Sequence, residues 1–146
     1  MMLLSKSMKN PNTIKLLIIN TQSIVAKEKT LKLTVEETNP DVLITTETWL
    51  NPSIKPAEFL PKGFLKNPPA RKDRPNGHGG VLIAVKDNII CEEVEVNSNP
   101  EVEITAMKIP LSVSVKLHKY LLIIAVYCPP NRDSETTLNI IQCHDV

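Results

Sequence analysis

Three polar side chains stand where apolar runs of the chain end. Asn20 closes Lys15 to Asn20, Glu47 follows Asp41 to Thr46, and Tyr127 closes Lys119 to Tyr127. In an α/β sheet, side chains at the carboxyl ends of adjacent strands converge on one crevice. A carboxylate and an amide oxygen side by side form a hard-oxygen site. Such a site suits magnesium, which keeps several waters and completes its shell with substrate phosphate. The bland alternative is that Asn20 caps the following helix and Glu47 is a solvated strand-end charge. A tyrosine hydroxyl at a strand end can donate to a phosphate oxygen, or it can be a structural residue at the sheet edge.

Arg71-Lys72-Asp73-Arg74-Pro75-Asn76-Gly77-His78-Gly79-Gly80 sets three cations on glycine-rich backbone beside a strand. Cationic heads and backbone amides of this kind hold phosphates. A solvated turn, whose glycines only allow a tight bend, is the competing account. No Gly-Lys-Ser/Thr follows, so the segment is not a P-loop. His78, His118 and His144 are isolated from one another, as lone inert histidines usually are. Cys128 has no sequence-adjacent activating group and reads as a buried, inert thiol.

The elements that must position these residues follow from periodicity. Lys15 to Asn20 and Asp41 to Thr46 are short apolar strands. Between them Ile24, Leu31 and Val35 recur near a helical period, predicting an amphipathic helix from Ser23 as N-cap to Thr38. Asn39-Pro40 stops it. Strand, helix, strand implies a parallel crossover pair. Pro52 to Asn76 carries Pro52, Pro56, Pro61, Pro68, Pro69 and Pro75 and reads as a long irregular loop. Gly79 to Lys86 is a strand, and Ile89 to Val96 and Val102 to Ile109 alternate as half-exposed antiparallel strands. Lys119 to Tyr127 is the most apolar and is expected at the centre of the sheet. Ser134 to Gln142 could begin a further helix. The fold class expected is α/β, with a mixed sheet of about six strands.

Composition removes several classes. At 146 residues and 42% hydrophobic, the chain is sized for one soluble domain. A net charge of +1 supplies no global field, so any basic partner surface is local. Aromatics at 3% argue against a multi-base stacking sheet. The three cysteines form no Cys-x-x-Cys pair, which suits reduced thiols rather than zinc. The longest apolar runs fall far short of the roughly 20 residues a membrane span needs. The order of the apolar patch and Lys6 and Lys9 is wrong for a signal peptide. The expected setting is intracellular, nuclear or cytoplasmic, without a membrane.

Taken together, the pieces resemble one family. Ile19-Asn20-Thr21-Gln22-Ser23-Ile24, Thr46-Glu47-Thr48-Trp49-Leu50, Arg71-Lys72-Asp73-Arg74 with Gly79-Gly80-Val81-Leu82-Ile83-Ala84-Val85-Lys86, and Tyr127-Cys128-Pro129-Pro130-Asn131 stand in order across most of the chain. They are similar to motifs of the endonuclease/exonuclease/phosphatase superfamily. The wording is most similar to the apurinic-like endonuclease domain of non-LTR retrotransposons. The resemblance implies a four-layer α/β sandwich, of which this chain is the N-terminal half. It implies magnesium, with manganese as a possible substitute, and metal-assisted hydrolysis of a DNA phosphodiester. On it, Glu47 and Asn20 are metal and catalytic residues and Tyr127 is catalytic. Arg71, Lys72, Arg74 and Asn76 contact DNA.

The family continues with Gly-Asp-Phe-Asn and Ser-Asp-His motifs, and neither occurs here. The expectation is therefore a flexible leader over 1–13, a partial domain over 14–146 truncated at its C-terminus, and an inactive fragment. A missing second sheet would leave the packing face of the first one bare. Two alternatives stay open: a non-catalytic nucleic-acid-binding remnant, and an inositol or lipid phosphatase of the same superfamily.

Overall fold

The computed structural model describes residues 13–97, 101–111 and 119–129. Residues 1–12 of the leader, the Ser134 to Gln142 helix, His118 and His144 lie outside them. The fold is mixed α/β. The strands are β1 Leu16–Asn20, β2 Val42–Thr46, β3 Ala70–Lys72, β4 Val81–Val85, β5 Glu92–Val94, β6 Glu103–Pro110 and β7 Tyr120–Tyr127, with helix α1 Glu28–Thr38. They form two sheets, ordered β1-β2-β4-β3 and β5-β6-β7. The single sheet of about six strands is thus corrected to a four-stranded and a three-stranded sheet.

The parallel crossover is present: β1 pairs with β2 in parallel, from Leu16 opposite Val42 to Asn20 opposite Thr46. β4 runs antiparallel between β2 and β3. All five β4 residues are buried. A Val-Leu-Ile-Ala-Val run without alternation is what a strand covered on both faces requires. Each large apolar side chain fully buried there contributes about 1.5–3 kcal/mol over its exposed state.

Val81, Ile83 and Val85 meet Val42, Ile44, Ala70, Met107, Ile109, Ile123 and Ala125 between the two sheets. Leu82 and Ala84 face the other way, onto Ile24, Leu31, Val35, Phe59, Leu60 and Phe64. The proline-rich segment therefore shares the outer face with α1. Asn67 ties it down, donating from Nδ2 to the carbonyls of Lys86 and Ile89 at 2.9 Å each. It also holds a strand that sequence periodicity misses, β3, paired to β4 through Ala70, Arg71 and Lys72.

Three further expectations are corrected. Helix α1 begins at Glu28, not near Ser23, and Lys27 caps it without a side-chain bond. Ser23 Oγ instead accepts from Ala26 N, within a turn. Asn39 does end the helix, in the left-handed conformation. β7 is not central: among the described residues it pairs only with β6. Its apolarity comes from facing a core on one side and carrying Leu122, Ile124 and Val126 on the other. Lastly, the first sheet is not bare, because β6 and β7 cover β2, β3 and β4. Among the described residues β1 stays outside that cover, with Ile18 68% exposed.

Candidate functional site

One end of the sandwich gathers the ends of six strands: the carboxyl ends of β1, β2, β3 and β7 and the starts of β4 and β6. Backbone pairing of β1 and β2 runs on past the strands. Thr21 N donates to Thr46 O, Ser23 N to Glu47 O and Ile24 N to Thr48 O, each at 3.0 Å. Thr21 Oγ1 adds bonds to the carbonyls of Thr46 and Glu47. These bonds hold unusual backbone. Gln22, Ser23, Glu47 and Trp49 all have positive φ, at 43°, 80°, 51° and 54°. Such conformations cost about 1–3 kcal/mol each and persist where surrounding structure enforces them, often at functional sites.

Tyr127 reaches across from the second sheet and donates its hydroxyl to Glu47 Oε1 at 2.8 Å. Burial and then the Glu47 carboxylate push the Tyr127 phenol above its usual range. It therefore stays a proton donor at neutral pH. Beside it, on the facing position of β6, stands Glu103. Glu103 is buried; its Oε1 takes Arg74 Nε at 2.7 Å and Gly80 N at 3.3 Å. Its Oε2 is buried without a hydrogen-bond partner. The Arg74 guanidinium lies 5.9 Å from the Tyr127 ring centroid. Gly79 fills the space among these groups. A Cβ there would stand 2.6 Å from Glu103 Oε1, 3.1 Å from Arg74 Cδ and 3.2 Å from Tyr127 Cε1.

The residues expected from sequence divide into two groups. Asn20, Glu47, Tyr127 and Arg74 come to this end together. Asn20 is the register neighbour of Thr46, one residue before Glu47. Lys72 is exposed at the end of β3. Arg71 is turned into the protein: it binds Asp73 and donates to the carbonyls of Ile54 and Asn51 at 2.9 and 2.8 Å. Asn76 Oδ1 accepts from His78 N and shapes the turn. Glu103 was not foreseen. Its signal was available: Glu103, Thr105, Met107 and Ile109 alternate toward the core, so a carboxylate sits in an apolar register. Trp49 and His78 were also missed as a pair; their ring centroids are 4.8 Å apart.

Among the described residues no group of three or more His, Cys, Asp or Glu is placed to hold a metal ion. The donor set is small, one carboxylate and one amide. Yet no Lys, Arg or His pairs with Glu47 among the described residues, so its charge is met only by the Tyr127 hydroxyl. A carboxylate left in that state fits a magnesium ion that otherwise holds water and substrate. No helix among the described residues is long and apolar enough to cross a membrane. The sequence matches no model of a known protein family, and a search of curated proteins finds no match.

Proposed function

We propose that this strand-end cluster is the metal- and phosphate-binding half of a magnesium-dependent DNA endonuclease site of the endonuclease/exonuclease/phosphatase type. The observation that carries it is the Tyr127–Glu47 hydrogen bond, which joins two sheets at the end where Asn20 also emerges. The two stacked sheets with α1 outside the first one support the finer architecture, half of a four-layer sandwich.

Glu47 and the Asn20 amide would hold the ion. A bound magnesium supplies charge neutralisation at the phosphoryl oxygens. Tyr127, kept protonated, donates a hydrogen bond to a phosphate oxygen once substrate displaces it from Glu47. Arg74, fixed through Nε by Glu103, presents its guanidinium along the same edge. Lys72 adds an exposed cation. Arg71 serves the loop rather than DNA in this arrangement. The sequence holds no counterpart of the Asp, Asn and His that activate water in the family it resembles. Loss of a general base alone costs about 10²–10⁴-fold in rate. Without those groups the proposed site binds phosphate and turns it over more slowly by at least that factor.

The test compares wild type with Glu47→Gln in DNA retention and in nicking of supercoiled plasmid, with and without magnesium. Expected are magnesium-dependent retention that Glu47→Gln abolishes and no nicking above the variant. Nicking by wild type alone would make the chain itself an enzyme. Retention indifferent to both magnesium and Glu47 overturns the proposal and leaves a non-catalytic basic loop.

A further inference from the structure

The chain has five aromatic residues: one tryptophan, two tyrosines and two phenylalanines. Phe59 and Phe64 are buried between the first sheet and its outer cover. Tyr120 stands at the far end of β7 from Tyr127, with Lys108 Nζ 4.5 Å from its ring centroid. Trp49 is different. It lies two residues after Glu47, half-buried, on backbone at φ 54°. For a bulky side chain this is an outlier, and outliers of this kind mark constrained functional positions.

Trp49 N donates to Gly79 O at 2.9 Å, and the Trp49 ring meets the exposed His78 ring at an interplanar angle of 59°. Gly79, the next residue after His78, lies so close to Glu103, Arg74 and Tyr127 that an added Cβ would meet all three. The ring pair and the phosphate-binding cluster thus share one turn. A strained backbone places π-surface where it is only partly covered, and His78 adjoins the glycine whose added Cβ would meet Arg74 and Tyr127.

We infer that Trp49 and His78 form a nucleobase platform beside the phosphate site, so the substrate is a nucleic acid offering an unpaired or displaced base, not a phosphate ester lacking one. This rests on the proposed phosphate site and names its substrate class. Base–aromatic stacking is tolerant of sequence because every base has a π-face. One platform of this size takes one base, which fits the scarcity of aromatics elsewhere.

Trp49 is the chain's single tryptophan, so intrinsic emission reports this ring directly. The full chain in magnesium is titrated with a short single-stranded deoxyoligonucleotide and with an abasic deoxyribose-phosphate polymer of equal length. Expected are saturable quenching by the first only and binding about 5- to 100-fold tighter than to the abasic polymer. Labelled-strand anisotropy then reads Trp49→Ala and His78→Ala, whose folding is checked by circular dichroism. Trp49→Ala abolishes the preference and His78→Ala, a change at an exposed residue, reduces it. Equal affinity for both polymers overturns the platform, as does a preference that survives both variants. Magnesium-dependent binding without base preference leaves the phosphate site standing alone and favours a base-free phosphate ester. Base preference that ignores Glu47 and magnesium keeps the platform and removes the hydrolase reading. Binding to neither polymer overturns both.

Discussion

Adding one methyl group at Gly79 tests whether Glu103, Arg74 and Tyr127 act as a packed unit. Gly77 supplies the control. The two glycines have similar left-handed backbone, φ 68° and 76°, so alanine meets a similar conformational cost at each. That cost is about 1–2 kcal/mol. They differ in surroundings. An added Cβ at Gly77 meets nothing within 4 Å, whereas at Gly79 it would lie 2.6 Å from Glu103 Oε1. A carboxylate tip is often free to swing away. Here it is buried and held by Arg74 and Gly80, so moving it breaks a charge-assisted bond. Overpacking of this kind costs about 1–3 kcal/mol. Gly77→Ala should therefore lose about 1–2 kcal/mol, and Gly79→Ala about 2–5 kcal/mol, in equilibrium urea unfolding. Shortening Glu103 to alanine should relieve the steric part, so Gly79→Ala costs less in that background, a coupling read by a double-mutant cycle. Magnesium-dependent DNA retention should fall in Gly79→Ala and persist in Gly77→Ala. Equal destabilisation of the two, within about 0.5 kcal/mol, would refute the packed-cluster argument.

Tyr127→Phe removes the hydroxyl bonded to Glu47 and should cost about 0.5–1.5 kcal/mol near neutral pH. The Tyr127 phenol is raised above its ordinary 10.0 by burial first and by Glu47 second. A raised folded-state value contributes stability present below the unfolded value and lost as pH climbs through the folded one. Wild type should therefore lose stability more steeply than Tyr127→Phe above about pH 10; parallel curves from alkaline unfolding titrations would contradict this. The uncovered face of β1 makes a separate expectation. Leu16 and Ile18 are 43% and 68% exposed on an edge strand. Sedimentation velocity should show concentration-dependent self-association that Ile18→Lys suppresses without lowering the melting temperature, since a lysine on an exposed edge strand blunts strand-edge pairing. Monodisperse wild type at all concentrations would remove the basis for it.

What could be read from sequence and what could not differ in a physical way. β2 and β4 were legible because uninterrupted leucine, isoleucine and valine runs are a local consequence of burial on both faces, and β1 carries the same kind of run although one of its faces is exposed. The stop at Asn39 was legible because a left-handed cap and Pro40 act locally too. β3 was not, since Ala70-Arg71-Lys72 has no apolar pattern and is a strand only through its bonds to β4. The start of α1 was misjudged for a similar reason. Backbone bonds from Ser23 and Ile24 to Glu47 and Thr48 draw that stretch toward β2, so helix begins only at Glu28. Partition of the later strands into a second sheet depends on which faces meet, and that pairing is nonlocal. The site sits on the same divide. Asn20, Glu47 and Tyr127 stand out because strands end at them. Glu103 stands inside a strand, and its importance follows from what lies opposite: Tyr127 in register, Arg74 on one oxygen and Gly80 on the same one. The alternation of β6 did hold the clue. A carboxylate in an inward apolar register needs charged or hydrogen-bonding partners from elsewhere in the chain. In this fold the partner is Arg74, and that pairing turns the basic loop from a flexible surface segment into one wall of the site.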